Sequence, residues 1–142
     1  MTVQTVMTAN PATCTPTTRL VDVASMMKEF DCGQIPVVAE DGSGKPVGVV
    51  TDRDIAMRMV AKGVNPLEAL ARDCMTTPCI TVTIDTSLAT CCEVMEASKI
   101  RRVPVVDVQG RLCGIVSVAD IARCATPKAT AEVVKEVSEA GW

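Results

Sequence analysis

Thr51 and Asp54 stand three residues apart in GVVTDRDIA (48–56), and Ser117 and Asp120 repeat that spacing in GIVSVADIA (114–122). A hydroxyl and a carboxylate so placed, just after an apolar run, have two uses. They can close the first turn of a helix, each side chain accepting from the other residue's backbone N–H. They can also hold a sugar hydroxyl beside a phosphate, because a carboxylate accepts hydrogen bonds and a hydroxyl can donate one. The surrounding charge differs between the two places. Arg53 precedes Asp54, whereas Ala119 precedes Asp120; Lys99, Arg101 and Arg102 precede VPVV, whereas Asp31, Gly33 and Gln34 precede IPVV. The planar guanidinium fork matches phosphate geometry, so the two places should not treat phosphate alike.

Other chemistries are poorly supplied. The chain contains no histidine. It also has no glycine-rich phosphate loop and no pattern of an activated nucleophile, so an enzyme is not expected. Eight cysteines occur, none spaced Cys-x-x-Cys. A zinc site would have to be built from cysteines alone, and none is expected.

The elements that must position these residues are written twice. VMTANPATCTPTTRL (6–20) is echoed by CMTTPCITVTIDTSL (74–88) at an offset of 68, and IPVV (35–38) by VPVV (103–106). For GVVTDRDIA and GIVSVADIA the offset falls to 66, and a turn-like stretch, EDGSGKP against DVQGRL, can absorb the change. Two copies thus span roughly residues 6–60 and 74–124. Six of the eight cysteines (Cys14, Cys32, Cys74, Cys91, Cys92, Cys113) align with small apolar residues of the other copy, which reads as core packing. Cys79 and Cys124 align with Pro11 and Arg58, and Cys124 is the better candidate for an exposed thiol.

Each copy reads as strand–helix–strand–strand–helix. A Thr-rich extended piece (13–15; 80–84) precedes a helix that Thr18 or Thr86 should open. Its apolar positions recur at three and four: Leu20, Val23, Ala24 and Met27, then Leu88, Cys91, Cys92 and Met95. Two apolar strands follow (35–39 and 47–50; 103–108 and 112–116), joined by a Gly-containing turn as a hairpin. A second helix begins at Thr51 or Ser117. Pro66 should start a short helix capped by Asn65, and a last helix should follow Pro127 with Val133, Val134 and Val137 on one face. The expected segments are 1–62 and 74–125 for the copies, 63–73 for the linker and 126–142 for the final helix. A copy of this size buries little surface alone. The fold expected is therefore mixed α+β, with the two copies packed sheet to sheet about a pseudo-two-fold axis.

Composition narrows the class. Of 142 residues, 48% are hydrophobic and 22% charged, so a core can form and disorder is not indicated. A net charge of −3 and a pI near 4.9 argue against a duplex-DNA binder. Phe30 and Trp142 are the only aromatics, too few for a base-stacking platform. No basic-then-apolar leader and no apolar run of about 18 residues is visible, so a cytoplasmic protein without a membrane span is expected.

The ordered set VMT…T…L…IPVV…GVVTDRDI, repeated as CMT…T…L…IRRVPVV…GIVSVADI, resembles a cystathionine-β-synthase (CBS) domain pair, or Bateman module, over about residues 3–125. With no catalytic domain in view, it resembles a stand-alone pair. The resemblance implies a regulatory module that binds AMP, ADP or ATP in clefts between the copies; NAD, S-adenosylmethionine or no ligand at all are the family's other cases. It also implies a disc-like homodimer acting on a protein partner yet to be found. In the family Gly-h-h-Thr/Ser-x-x-Asp is the ligand signature, which maps here to Thr51 and Asp54, and to Ser117 and Asp120. The carboxylates would bind the ribose hydroxyls, with Arg53, Arg101 and Arg102 at the phosphates, and Gln34, which stands where the second copy has Arg102, is a further ligand-binding candidate. Adenine would lie along Cys14, Ile35 and Pro36, or Val82, Val103 and Pro104. Cap and ligand readings of the same pair both stand at this point.

Overall fold

The computed structural model describes residues 1–124. The helix expected after Pro127, with Val133, Val134 and Val137, lies outside the described residues. The elements are β1 (Thr8–Ala9), α1 (Leu20–Phe30), β2 (Gln34–Val38), β3 (Pro46–Thr51), α2 (Asp52–Arg58), β4 (Val82–Thr83), α3 (Leu88–Ser98), β5 (Arg102–Val106), β6 (Leu112–Ser117) and α4 (Val118–Ala122). Each copy carries the expected helix–strand–strand–helix run, and the mixed α+β class holds. The Thr-rich piece is the short strand β4 in the second copy and a single bridge, Cys14 to Val37, in the first.

The chain forms two compact units. One is Pro11–Cys79; the other joins Met1–Asn10 to the chain from Ile80 onward. In the first, β2 and β3 form an antiparallel hairpin with Gln34 opposite Thr51. Its core gathers Cys14, Leu20, Val23, Ile35, Val37, Val50, Met59, Ala69, Ala71 and Cys74. In the second, the sheet order is β1-β6-β5-β4, with β4 parallel to β5 and Arg102 opposite Ser117. Its core gathers Val3, Val82, Cys91, Cys92, Met95, Val103, Val105, Val116 and Ile121. The two-residue change of offset sits in the hairpin loops. Ala39 N–H bonds Lys45 O, six residues on, while Asp107 N–H bonds Arg111 O, four residues on.

The opening segment of each copy serves the other copy's hairpin. Thr8 and Ala9 pair with Ile115 and Gly114 of β6. Correspondingly, Thr76 exchanges hydrogen bonds with Val49 of β3, at 2.8 and 3.1 Å. The conserved spacing runs further upstream: Met1–Val3 bonds to Thr86–Leu88, and Ala69–Ala71 bonds to Thr18–Leu20. Val3 and Ala71, equivalent at the offset of 68, are both fully buried. The glycines of the two hairpins make room for this exchange. A Cβ on Gly48 would lie 2.7 Å from Thr76 O, and one on Gly114 would collide with the Met7 thioether.

Two local expectations are corrected. Thr18 and Thr86 do not open the helices. Their Oγ1 atoms accept from Thr15 and Thr83 N–H at 2.9 and 3.1 Å, closing turns. The helix starts are satisfied otherwise: Leu20 N–H donates to Ala69 O, Leu88 N–H to Met1 O, and Ser87 Oγ caps Thr90 N–H. Ala24 is exposed, although its equivalent Cys92 is buried. Asn65 does cap, accepting from Leu67 N–H at 3.0 Å, but the turn from Pro66 to Glu68 is 3-10 rather than α. Among the described residues no helix is long and apolar enough to cross a membrane.

Candidate functional site

Both hydroxyl–carboxylate pairs form the reciprocal cap. In the first, Asp54 N–H donates to Thr51 Oγ1 and Thr51 N–H to Asp54 Oδ2, each at 3.0 Å. In the second, Asp120 N–H donates to Ser117 Oγ at 3.1 Å and Ser117 N–H to Asp120 Oδ2 at 2.9 Å. The local reason is the hairpin's end: β3 and β6 run into α2 and α4 without a loop, so the last strand residue is the cap. Asp54 and Asp120 are 7% and 9% exposed, and a buried carboxylate needs partners beyond the cap.

The copies supply those partners differently. Thr76 Oγ1 donates to Asp54 at 3.2 Å, and Arg58 Nη1 stands 3.8 Å from Asp54 Oδ1 while also donating to Cys74 O and Met75 O. Asp120 Oδ1 instead accepts from the exposed Arg123 guanidinium. At the offset of 66, Arg58 aligns with Cys124 and Arg123 with Met57, so the compensating cation has moved by one residue. Thr76, Arg58 and Arg123 were not among the expected site residues. The i,i+4 and i,i+3 acid–arginine spacings were signals for the arginines. Thr76 had no local signal, because it arrives from 22 residues away.

The hairpin ends bring some expected residues together. In one unit Arg102 stands opposite Ser117, and Val118 N–H donates to Arg101 O at 2.9 Å, so Arg101, Arg102, Ser117, Asp120 and Arg123 share one end of the β5–β6 hairpin. In the other unit the equivalent end holds Gly33, Gln34, Thr51, Asp52 and Asp54, with Arg53 exposed beside them. The second copy's end carries Arg101, Arg102 and Arg123 against Asp120, whereas the first copy's carries Asp52 and Asp54 with Arg53 and Arg58. Ile35, Val103, Cys14 and Val82 are 0%, 0%, 4% and 6% exposed and turn their side chains into the two cores. Only their backbones could border a ligand. Pro36 and Pro104 are buried at the alternate strand positions.

Seven of the eight cysteines are buried or half-buried. All eight are unbridged, and Cys14, Cys74, Cys91 and Cys92 are buried while Cys124 is exposed. Burial pushes the Cys14 and Cys91 thiols up to about 12, and Cys74 and Cys79 up to about 11. A raised thiol pKa leaves little thiolate, the reactive form, at pH 8. Iodoacetamide on the native protein should therefore label Cys124 first and Cys14 and Cys91 last, as peptide mapping over time would show; Cys14 labelling at the rate of Cys124 would contradict this packing. Among the described residues no group of histidine, cysteine, aspartate or glutamate could hold a metal ion.

A doubled hairpin-and-helix unit, each hairpin ending in a hydroxyl–carboxylate cap, is a tandem-repeat architecture. The CBS domain family matches residues 3–61 and 71–126, and the chain belongs to that family. It is 39% identical over 109 residues to the uncharacterized protein MK0525 of Methanopyrus kandleri, covering 77% of this chain and spanning 55% of that protein's length. It is 37% identical over 120 residues to the CBS domain-containing protein YhcV of Bacillus subtilis, covering 84% of this chain and 82% of YhcV. Two solved structures share the fold. The CBS domain protein PAE2072 from Pyrobaculum aerophilum, complexed with AMP, has a TM-score of 0.80 at 27% identity, over 95% of this chain and 99% of that one. The CBS domain pair of MJ0100, in complex with 5'-methylthioadenosine and S-adenosyl-L-methionine, has a TM-score of 0.76 at 28% identity, over 87% and 94%.

Proposed function

We propose that this chain is a regulatory module that senses an adenosine nucleotide, AMP, ADP or ATP, and performs no catalysis itself. The observation that carries the reading is the end of the β5–β6 hairpin. There Arg101 and Arg102 flank a serine hydroxyl capped to a buried carboxylate, Asp120. A guanidinium pair supplies charge-assisted, bidentate donors for phosphate, and a carboxylate accepts from vicinal ribose hydroxyls. The AMP bound to PAE2072 and the adenosyl ligands of MJ0100, both sharing this fold, support the ligand class.

A second reading is a ligand-independent scaffold. Its support is that both aspartates already have protein partners: the caps, and then Thr76 and Arg58 or Arg123. Thermal unfolding with AMP, ATP, NAD and S-adenosylmethionine separates the two. A ligand at a hundred times its Kd stabilises the native state by about 2.7 kcal/mol, so a rise in Tm with AMP or ATP is expected. No rise with any of the four at millimolar concentration would leave the scaffold. Arg102→Ala should weaken AMP about tenfold or more, the value of a hydrogen bond to a charged group. Unchanged AMP affinity by calorimetry would remove Arg102 from the phosphate site.

A further inference from the structure

Gln34 begins β2 at the position where the second copy has Arg102, and it faces Thr51 as Arg102 faces Ser117. It is 8% exposed, and its Oε1 is buried with no hydrogen-bond partner among the described residues. A buried acceptor without a donor is costly, and native proteins rarely leave one. An amide flip does not remove the problem, because the buried position would then hold an unpartnered donor.

The surroundings of Gln34 differ from those of Arg102. A Cβ on the neighbouring Gly33 would lie 2.9 Å from the Asp52 carboxylate, and Asp52 N–H donates to Gly33 O at 3.0 Å. The side chain of Asp52 thus lies against the backbone just before Gln34. The Asp54 carboxylate is held one helical turn away, at the cap beneath Thr51. Arg58 stands 3.8 Å from Asp54 and Arg53 is exposed beside it, so the orphaned oxygen rather than net charge sets the preference. An acceptor pairs with a ligand group that donates hydrogen bonds, such as a hydroxyl or an amine, and not with an ionised phosphate.

We propose that Gln34 is the specificity residue of the first copy, and that it selects the uncharged adenosine moiety rather than a phosphate. This rests on the adenosine-nucleotide reading given above. Phosphate recognition is then left to the arginine-bearing hairpin of the second copy.

Calorimetric titration of the wild type, Gln34→Leu and Gln34→Arg with adenosine and with AMP tests it. Leucine fills a similar volume and removes the orphaned atom, so Gln34→Leu should keep or raise the thermal midpoint and weaken adenosine tenfold or more at one site. Gln34→Arg should shift the AMP-to-adenosine affinity ratio tenfold or more toward AMP. If Gln34→Leu binds adenosine as the wild type does, Gln34 reads nothing and the inference fails while the nucleotide reading survives. A Gln34→Arg ratio within twofold of the wild type overturns it as well. If Gln34→Arg does not fold, Gln34→Leu alone decides. A wild type that binds neither adenosine nor AMP takes down both the reading and the inference.

Discussion

Replacing Gly48 with alanine will lower the unfolding free energy by about 1–3 kcal/mol, and the same change at Gly114 will cost less. The two glycines are equivalent in sequence, each opening its copy's Gly-h-h-hydroxyl stretch. What lies against them differs. A Cβ on Gly48 would sit 2.7 Å from the Thr76 carbonyl oxygen. That oxygen accepts from Val49 N–H at 3.1 Å, and Thr76 N–H returns a bond to Val49 O at 2.8 Å. The carbonyl cannot retreat without stretching this ladder. Against Gly114 the nearest atoms belong to the Met7 side chain, an unbranched thioether that can rotate away. Urea denaturation of both variants checks the ranking. Equal midpoints, or a Gly48→Ala midpoint at the wild-type value, would mean that the exchanged segment yields more easily than its hydrogen bonds suggest.

Asp54→Ala and Asp120→Ala should also part company. Each loses the carboxylate half of the capping box, the bond from Thr51 or Ser117 N–H, worth about 1 kcal/mol. Asp54→Ala additionally strands the Thr76 hydroxyl and removes the anion beside Arg58, whose guanidinium also ties α2 to the Cys74 and Met75 carbonyls. Hydrogen bonds to charged groups are worth about 1.5–3 kcal/mol, so a total loss of about 2.5–4 kcal/mol is expected for Asp54→Ala. Asp120→Ala should cost about 1 kcal/mol, because its remaining partner, Arg123, is solvent-exposed and such pairs contribute about 0–1 kcal/mol. Chemical denaturation of the two variants measures this directly; a larger loss at Asp120 would reverse the assignment. Binding experiments should use Asp54→Asn and Asp120→Asn, which retain an acceptor for the cap while losing the charge. The role of each carboxylate in folding then separates from the proposed one in ribose binding.

Much of this architecture was legible from the repeated pattern. The doubled hairpin-and-helix order, the loop that absorbs two residues and the two caps follow from apolar periodicity and from comparing the chain with itself. Those are local signals, and locality marks where they stop. Thr18 and Thr86 look like helix caps because capping chemistry is short-ranged. Their hydroxyls are taken by turns, and the first free N–H of each helix meets a carbonyl from a distant segment, Ala69 or Met1. Nothing near Asp54 announces Thr76, and nothing near Gly114 announces Met7. The site shows the same division. The hydroxyl–carboxylate pairs and the unequal arginines could be read from spacing, whereas the orphaned amide of Gln34 emerges only from the packing around it.

The exchange of opening segments also orders events during synthesis, which proceeds from the N-terminus. The unit Pro11–Cys79 is continuous, so everything it needs has been made once Cys79 has emerged. The other unit is divided in time. Val3 is a core residue of that unit and Thr8 pairs with Ile115, so a segment made before Pro11–Cys79 waits for a hairpin made after it. Closing so long a loop has an entropic cost, though one that grows only slowly with length. During that interval Val3, Val6 and Met7 are apolar groups without their native neighbours. Until β6 is made, the nascent chain therefore carries β1 unpaired, upstream of a unit that can already be complete.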